Sequence, residues 1–250
     1  MDNDTFARRM RDMQQNSDTR LPTKGYSILQ LDGKAFHTWT RGLNIPFDAK
    51  FVEAMDAVAG LLAQKISNVK FAYVQSDEIS LLMTDFENDK TEAYYANRIQ
   101  KVVSTSAGLA SAFMTREFPD KPFAVFDARF FSAPDKDAVK DWFIWRQADG
   151  IKNSVRAVGY SHFSGAELNN KNTHDVREML LKIDDPWERY DEGLQRGRIV
   201  TKVPEPKTVE YVHKKSGEKK TTTVDSLVWK ASESAEFRKT TWLDEAIPEM

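Results

Sequence analysis

No stretch of this chain limits its fold more than FAYVQSDEISLLM, Phe71 to Met83. An apolar run climbs to Gln75-Ser76-Asp77-Glu78 and descends again through Ile79, Leu81, Leu82 and Met83. Two apolar arms around a short polar turn predict a β-hairpin. Turns are polar and Asp tolerates their geometry, which alone accounts for one acid at the tip. Adjacent carboxylates between two buried-looking strands ask for a further reason.

The flanking segments supply a topology. YSILQL, Tyr26 to Leu31, reads as a strand ending in Asp32-Gly33. Phe51, Met55, Val58, Leu62 and Ile66 fall on one helix face. Asp48 is placed to cap that helix, with Phe47 set to pack on Val52. A second helix is predicted over about Lys90 to Phe118, with Tyr95, Ile99, Val102, Ser106, Leu109 and Phe113 as its inner stripe. Phe123 to Ala133 reads as another strand. Strand, helix, strand, strand, helix, strand is the split βαβ order of ferredoxin-like α+β domains. Such a sheet carries its helices on one face and leaves the other open.

The remainder, residues 135–250, is predicted to be largely helical and integrated with the core at 1–134. Apolar residues from Val139 to Val158 predict a long helix or two. Ser164 to Glu167 has capping-box spacing, and Thr173 is placed to cap another helix. Gly217 lies in a basic turn between strand-like arms, which predicts a protruding hairpin. Between Arg196 and Lys220 eight basic residues stand against three acidic ones, inside a chain of net charge −2. Lys214, Lys215, Lys219 and Lys220 flank the turn and are candidates to grip nucleic-acid phosphates. Lysines that protect an edge hairpin from aggregation are the equal alternative.

Composition narrows the chemistry. Hydrophobic residues at 40% and aromatics at 11% suffice for a packed core. Basic and acidic residues number 36 and 38, so any nucleic-acid surface must be local. With no cysteine, disulfides, thiolate metal sites and a cysteine nucleophile are excluded, which suits a reducing, cytoplasmic setting. The charged N-terminus lacks a signal-peptide core, and no apolar run approaches the roughly 18 residues of a membrane span. The histidines at 37, 162, 174 and 213 lack zinc-ligand spacing.

On the split βαβ topology the end of the first strand lies beside the hairpin turn. Asp32 and Asp77 can then approach, although 45 positions separate them in the sequence. Two carboxylates held close repel unless a divalent cation bridges them. Mg²⁺ takes oxygen ligands, often one or two carboxylates plus phosphate oxygens. Two such ions can activate an attacking oxygen and stabilise a leaving one, which is the palm arrangement of nucleotidyl transferases. Gly33 allows close backbone approach and Lys34 adds charge. Arg98 and Lys101, neighbours on the second helix, are candidate phosphate cations, with Arg129 on the last strand as a third. Phe36 and His37 are placed to frame a base, or simply to pack.

LDGKAF, YVQSDEISLL, VFDARFF, WRQADGIKNS, SHFSGAELNNKNTHDVREMLLK and LQRGRIV, in this order, resemble the tRNA-histidine guanylyltransferase family, most closely its bacterial and phage-type members. The resemblance runs from about Phe6 to Val200. It implies a palm-like catalytic core, two Mg²⁺ ions, and nucleotide addition to the 5′ end of tRNA in the 3′–5′ direction. It implies GTP, with ATP as a second candidate, as nucleotide partners, leaving open which of them activates the 5′ end, and a homo-oligomer, dimer or tetramer. Carried onto this chain, Asp32 and Asp77 would hold the metals with the Gly33 carbonyl, and Glu78 completes the motif. Residues Asp32, Gly33, Lys34, Ala35, Phe36 and His37, with Ser76 and Asp77, would line the nucleotide site. Arg98 and Lys101 match triphosphate-contacting positions, and Asn153 a polar position near the nucleotides. Eukaryotic members carry His-Ile-Asn-Asn where Gly-Ile-Lys-Asn-Ser follows Asp149 here, and a Lys-Pro pair where Ile45 precedes Pro46. A templated 5′-end repair role therefore stands beside dedicated guanosine addition. A palm-type nucleotidyl cyclase and a non-catalytic RNA-binding module, with Tyr73 and Phe126 as its stacking aromatics, are the competing readings.

Overall fold

The structure is a computed structural model and describes residues 3–15, 18–212 and 217–250. In chain order the elements are α1 (Asn3–Gln15), β1 (Tyr26–Gly33), α2 (Phe36–Trp39), α3 (Ala49–Lys65), β2 (Val69–Gln75), β3 (Glu78–Thr84), α4 (Ile99–Glu117) and β4 (Phe126–Ala133). There follow α5 (Lys136–His162), α6 (Gly165–Leu168), α7 (Thr173–Lys182), α8 (Glu192–Arg196), β5 (Arg198–Val212), β6 (Lys219–Glu233) and α9 (Trp242–Ala246). The strands form one antiparallel sheet in the order β4-β1-β3-β2-β5-β6. The protein is thus α+β.

Strand alternation sorts the core into two layers. Leu29, Leu31, Ala72, Val74, Ile79 and Leu81 face α3 and α4, whose Met55, Val58, Val102 and Met114 are fully buried against them. Tyr26, Ile28, Phe71, Tyr73 and Leu82 face the other way. They are covered by Val139 and Phe143 of α5 and by Phe237, Leu243 and Ile247 near the C-terminus. The second face is therefore not open as the sequence predicts. Alternating side chains on β1, β2 and β3 are apolar on both faces, so both must be covered. A third cluster joins Val155 and Val158 of α5 to Leu168, Val176, Leu180 and Trp187. One helix of 27 residues thus serves two clusters.

Caps fix the helix starts. Asp48 accepts the Phe51 N–H at 2.9 Å, and Ser164 and Glu167 form the expected capping box. Asn172, not Thr173, caps α7, in a reciprocal pair with Asp175; each such cap is worth about 1 kcal/mol. The helix predicted from Lys90 begins only at Ile99, because Tyr95, Ala96 and Asn97 take left-handed φ of 49°, 51° and 55°. The segment 19–22 holds that turn: Leu21 N–H donates to the Asn97 carbonyl, Ile99 N–H to the Thr19 carbonyl, and the Asn97 amide to the Pro22 carbonyl. The later start shifts the buried stripe of α4 to Val102, Ser106, Ala110 and Met114, with Leu109 and Phe113 on its flank.

The basic arm is longer than its sequence signal. Arg198, Ile199 and Val200 pair with Val74, Tyr73 and Ala72, and so extend the sheet. Beyond Val200, β5 pairs only with β6, in an unbroken register out to Val212 opposite Lys219. Lys214, Lys215 and the side chain of Lys220 lie outside the described residues.

Candidate active site

The hairpin turn is two residues long. Gln75 pairs with Glu78, leaving Ser76 and Asp77 at the tip. Ser76 has φ of 51°, a left-handed value that two-residue hairpin loops require and that bulky residues avoid. In β1, Asp32 lies opposite Glu78 on one side and Asp127 on the other. The next residue closes the arrangement: Gly33 N–H donates to the Asp77 carbonyl at 3.1 Å. The strand end carrying Asp32 and the turn carrying Asp77 are thereby tied together. A Cβ on Gly33 would sit 2.5 Å from the Phe36 ring, so only glycine fits this close approach.

Charge crowds here. Burial pushes the Asp32 carboxyl above its ordinary range and Asp127 adds to this, while Arg129 and Arg146 oppose it. Burial also raises Asp77, and so does Asp32; its own backbone N–H, the Ser76 hydroxyl and His37 act in the other direction. Glu78 is raised by burial and by Asp32 against the pull of Arg146. Arg146 grips Glu78 with two hydrogen bonds, Nε to Oε1 at 2.6 Å and Nη2 to Oε2 at 2.8 Å, and also donates to Asp149 at 2.9 Å. Glu78 is therefore committed to an arginine, whereas Asp32 and Asp77 have no arginine or lysine ion-pair partner at salt-bridge distance among the described residues.

Asp32, Asp77 and Ser76 border two clefts. One, of about 400 Å³, is lined also by Gly33, Ala35, Phe36, His37, Thr40 and Phe51. The other, of about 630 Å³, lies under α5 and includes Arg129, Trp145, Arg146 and Asn153. Oxygen-only donors, with the Asp32 carboxylate raising that of Asp77, suit a hard divalent cation. Among the described residues no three His, Asp or Glu side chains converge on one point. A cation here would complete its shell with water or phosphate oxygens, as Mg²⁺ commonly does. A depression of about 1000 Å³ between α3 and the base of the β5–β6 ribbon has a different character. Its Asp56 is paired with Arg198 and its Glu205 with Lys230.

The other candidates divide. His37 is exposed and close enough to influence Asp77, and Lys34 is exposed beside it in the chain. Phe36 is only 2% exposed and packs on Trp39, Phe51 and Phe126, so it floors the smaller cleft and does not frame a base. Arg98 and Lys101 are not brought to the carboxylates within this chain. They stand at the start of α4, where Arg98 pairs with Asp18. Ser111 of α4 accepts from Phe126, the register partner of Gly33, and Lys101 lies about 15 Å back along the helix axis from that level. Because β3 ends at Thr84, opposite Tyr26, α4 begins at the far end of the sheet and only its later turns approach the Asp32 end, which adjacency of the two residues on a helix face could not reveal. Tyr73 and Phe126, the stacking candidates of the RNA-module reading, are buried at 2% and 4%.

Sequence reasoning missed Arg146, Asp149 and Trp145. The i, i+3 spacing of Arg146 and Asp149 was a readable signal; their meeting with Glu78, 68 residues away, was not. It also missed Gly150. A Cβ there would strike the Gln75 side chain at 2.5 Å, and Gln75 donates to the Gly150 carbonyl at 3.0 Å, so α5 crosses directly over the base of the turn.

Comparison with known proteins accords with this geometry. The family described as tRNAHis guanylyltransferase (Thg1) matches residues 7–134. A tRNA(His) guanylyltransferase of Debaryomyces hansenii is 29% identical over 178 residues, covering 63% of this chain and 65% of its own length. The chain thus spans less than two thirds of that relative. A bacterial Thg1-like protein solved in complex with ATP superposes with a TM-score of 0.83 at 30% identity, over 97% of this chain and 99% of that one. A bacterial Thg1-like protein in complex with GTP gives 0.75 at 29%, over 94% of each chain. With its Asp32–Gly33 strand end tied to the Ser76–Asp77 turn, this chain belongs to the tRNAHis guanylyltransferase family.

Proposed function

We propose that this protein is a Mg²⁺-dependent nucleotidyltransferase that adds nucleotides, guanosine foremost, to the 5′ end of tRNA in the 3′–5′ direction. The observation that carries the reading is the hydrogen bond from Gly33 to Asp77, which joins two carboxylate positions from distant strands at the border of two clefts. Supporting it, β4-β1-β3-β2 with α3 and α4 on one face is the strand order of a ferredoxin-like palm. ATP and GTP, which the bacterial relatives hold, are the nucleotides expected here.

Asp32 and Asp77, with the Gly33 carbonyl, would hold two Mg²⁺ ions. Once bound, these ions would supply charge stabilisation for the attacking and leaving oxygens. The protein's own groups do the rest. The Asp32–His37 segment cradles one nucleotide, and the Ser76 hydroxyl helps keep Asp77 ionised. Arg146 holds Glu78 away from the metal-binding pair. Arg129, exposed on β4 and lining the larger cleft, is placed for phosphate. In the transfer the 3′-hydroxyl oxygen of the incoming nucleotide bonds to the 5′ α-phosphorus of the tRNA. The bond from that phosphorus to its bridging oxygen breaks, pyrophosphate leaves from a triphosphorylated end or a nucleoside monophosphate from a nucleotide-activated one, and the hydroxyl proton passes to solvent. Gly-Ile-Lys-Asn-Ser after Asp149 favours templated repair of 5′ ends as a role alongside guanosine addition.

The test incubates purified protein, Mg²⁺ and labelled nucleotides with 5′-truncated and intact tRNAs. Extension at the 5′ end, lost in Asp32→Ala and in Asp77→Ala, is expected. Triphosphate turnover of equal rate without RNA would replace the reading with a cyclase.

A further inference from the structure

Resting on that function, we propose that Trp145 is the stacking platform for the base at the 5′ end of the RNA strand. A reaction between two nucleotide-bearing partners needs two base sites, one on each side of the reacting atoms. Asp32 and Asp77 border two clefts; the Asp32–His37 segment lines the smaller, while the sequence candidates on the larger, Arg129 and Asn153, offer no ring for a base. The larger holds an aromatic ring that the core does not use. Trp145 is 54% exposed, although it sits on a helix whose neighbours Phe143 and Gln147 are buried. A bare tryptophan on a surface is no site, yet this one is held. The Arg146 guanidinium lies over the ring at 4.3 Å, and Trp142 meets it edge-on at 5.2 Å. Arg146 is itself clamped by Glu78 and Asp149, and Trp142 is backed by Phe131. One face of the indole is occupied, and the exposed remainder borders the cleft that contains the carboxylates.

The occupant is RNA rather than a free nucleotide for two reasons. The larger cleft, about 630 Å³ against 400 Å³, is flanked by the exposed residues Arg129 and Asn153, which leaves a route out for a continuing strand. Stacking also accepts any base, as a 5′ end of varied sequence demands. Arg129 would then meet the phosphate next to that base.

The experiment measures dissociation constants with Ca²⁺ in place of Mg²⁺, using an acceptor-stem RNA whose 5′-terminal nucleotide is either intact or abasic. Wild type, Trp145→Phe and Trp145→Ala are compared, with GTP binding measured in parallel. Trp145→Ala is expected to weaken the intact RNA by about 5- to 150-fold, the range for one base–aromatic stack. It should leave the abasic RNA and GTP unchanged, and Trp145→Phe should recover most of the loss. Equal losses on intact and abasic RNA, or no loss on either, would overturn the proposal. Weakened GTP with unchanged RNA would reassign the ring to the free nucleotide and also overturn it. A wild-type protein that binds neither RNA nor GTP would remove the functional reading and this subsite with it, whereas normal binding by Trp145→Ala would sink the subsite alone.

Discussion

Replacing Gly33 by alanine tests whether the carboxylates are held by a close contact. The new Cβ would lie 2.5 Å from two carbons of the Phe36 ring and 2.9 Å from a third. Ordinary carbon contacts begin near 3.5 Å, so ring or strand must yield by about 1 Å. The ring has little room, with Trp39 stacked at 4.9 Å and Phe126 at 5.0 Å. Overpacking of this kind costs about 1–3 kcal/mol, or about 2–12 °C in Tm for a chain of this size. Strand movement also shifts the Gly33 N–H from the Asp77 carbonyl, and a 1 Å misplacement at a reacting centre costs about a hundredfold in rate. Scanning calorimetry measures the first effect, and single-turnover 5′ extension run below the variant's Tm measures the second. Phe36→Leu makes space, so the double variant should beat the sum of the single losses by about 0.5–3 kcal/mol. Strictly additive losses, or a Gly33→Ala protein with wild-type Tm and rate, would refute the close-contact account.

Asp77 titrates above its ordinary value when folded, so its favourable contribution is present at acid pH and lost as pH rises through the raised value. Asp77→Asn should therefore raise the Tm at neutral pH in chelator, abolish transfer and remove the stabilisation that Mg²⁺ gives the wild type. A lowered Tm would count against buried repulsion. Arg146→Met strands the Glu78 carboxylate, which is 17% exposed, and should cost about 3–5 kcal/mol in urea unfolding. Adding Glu78→Gln should recover much of that, and no recovery would mean the pair matters only through packing. Changing Lys214, Lys215, Lys219 and Lys220 to Gln should flatten the log–log salt slope of tRNA binding by up to about 4, with GTP affinity unchanged. An unaltered slope would assign the arm to solubility or subunit contacts.

Much of this was legible in the residues because it is local. The hairpin follows from the apolar arms at Phe71–Val74 and Ile79–Met83, and the α3 face from spacing alone. The approach of Asp32 to the turn followed from strand order. What escaped depended on which elements cover which. Nothing in Val139 or Phe143 says that α5 lies across the sheet, so neither the covered face nor the Arg146–Glu78 clamp could be read. The displacement of Arg98 and Lys101 has the same origin: a helix direction, not a residue pattern, sends them to the far end. Asn172 outcompeted Thr173 as a cap because Asp175 answers it three residues on.

The two walls of the site are supported differently. Asp32 and Asp77 hang on paired strands, while Arg146, Asp149 and Asn153 belong to a span of α5 between two abutments, Val139 with Phe143 on the sheet and Val155 with Val158 on the small helical cluster. A beam fixed at both ends flexes least in the middle, so that wall meets its ligand with little reorganisation. Its stiffness nonetheless depends on the farther abutment, which has fewer buried residues than either layer on the sheet. Warming should loosen that end first. RNA affinity would then decline with temperature ahead of metal affinity, and a cold-adapted or heat-adapted form of this protein would show its adjustments around Val158, Leu168 and Val176 and leave the carboxylates untouched.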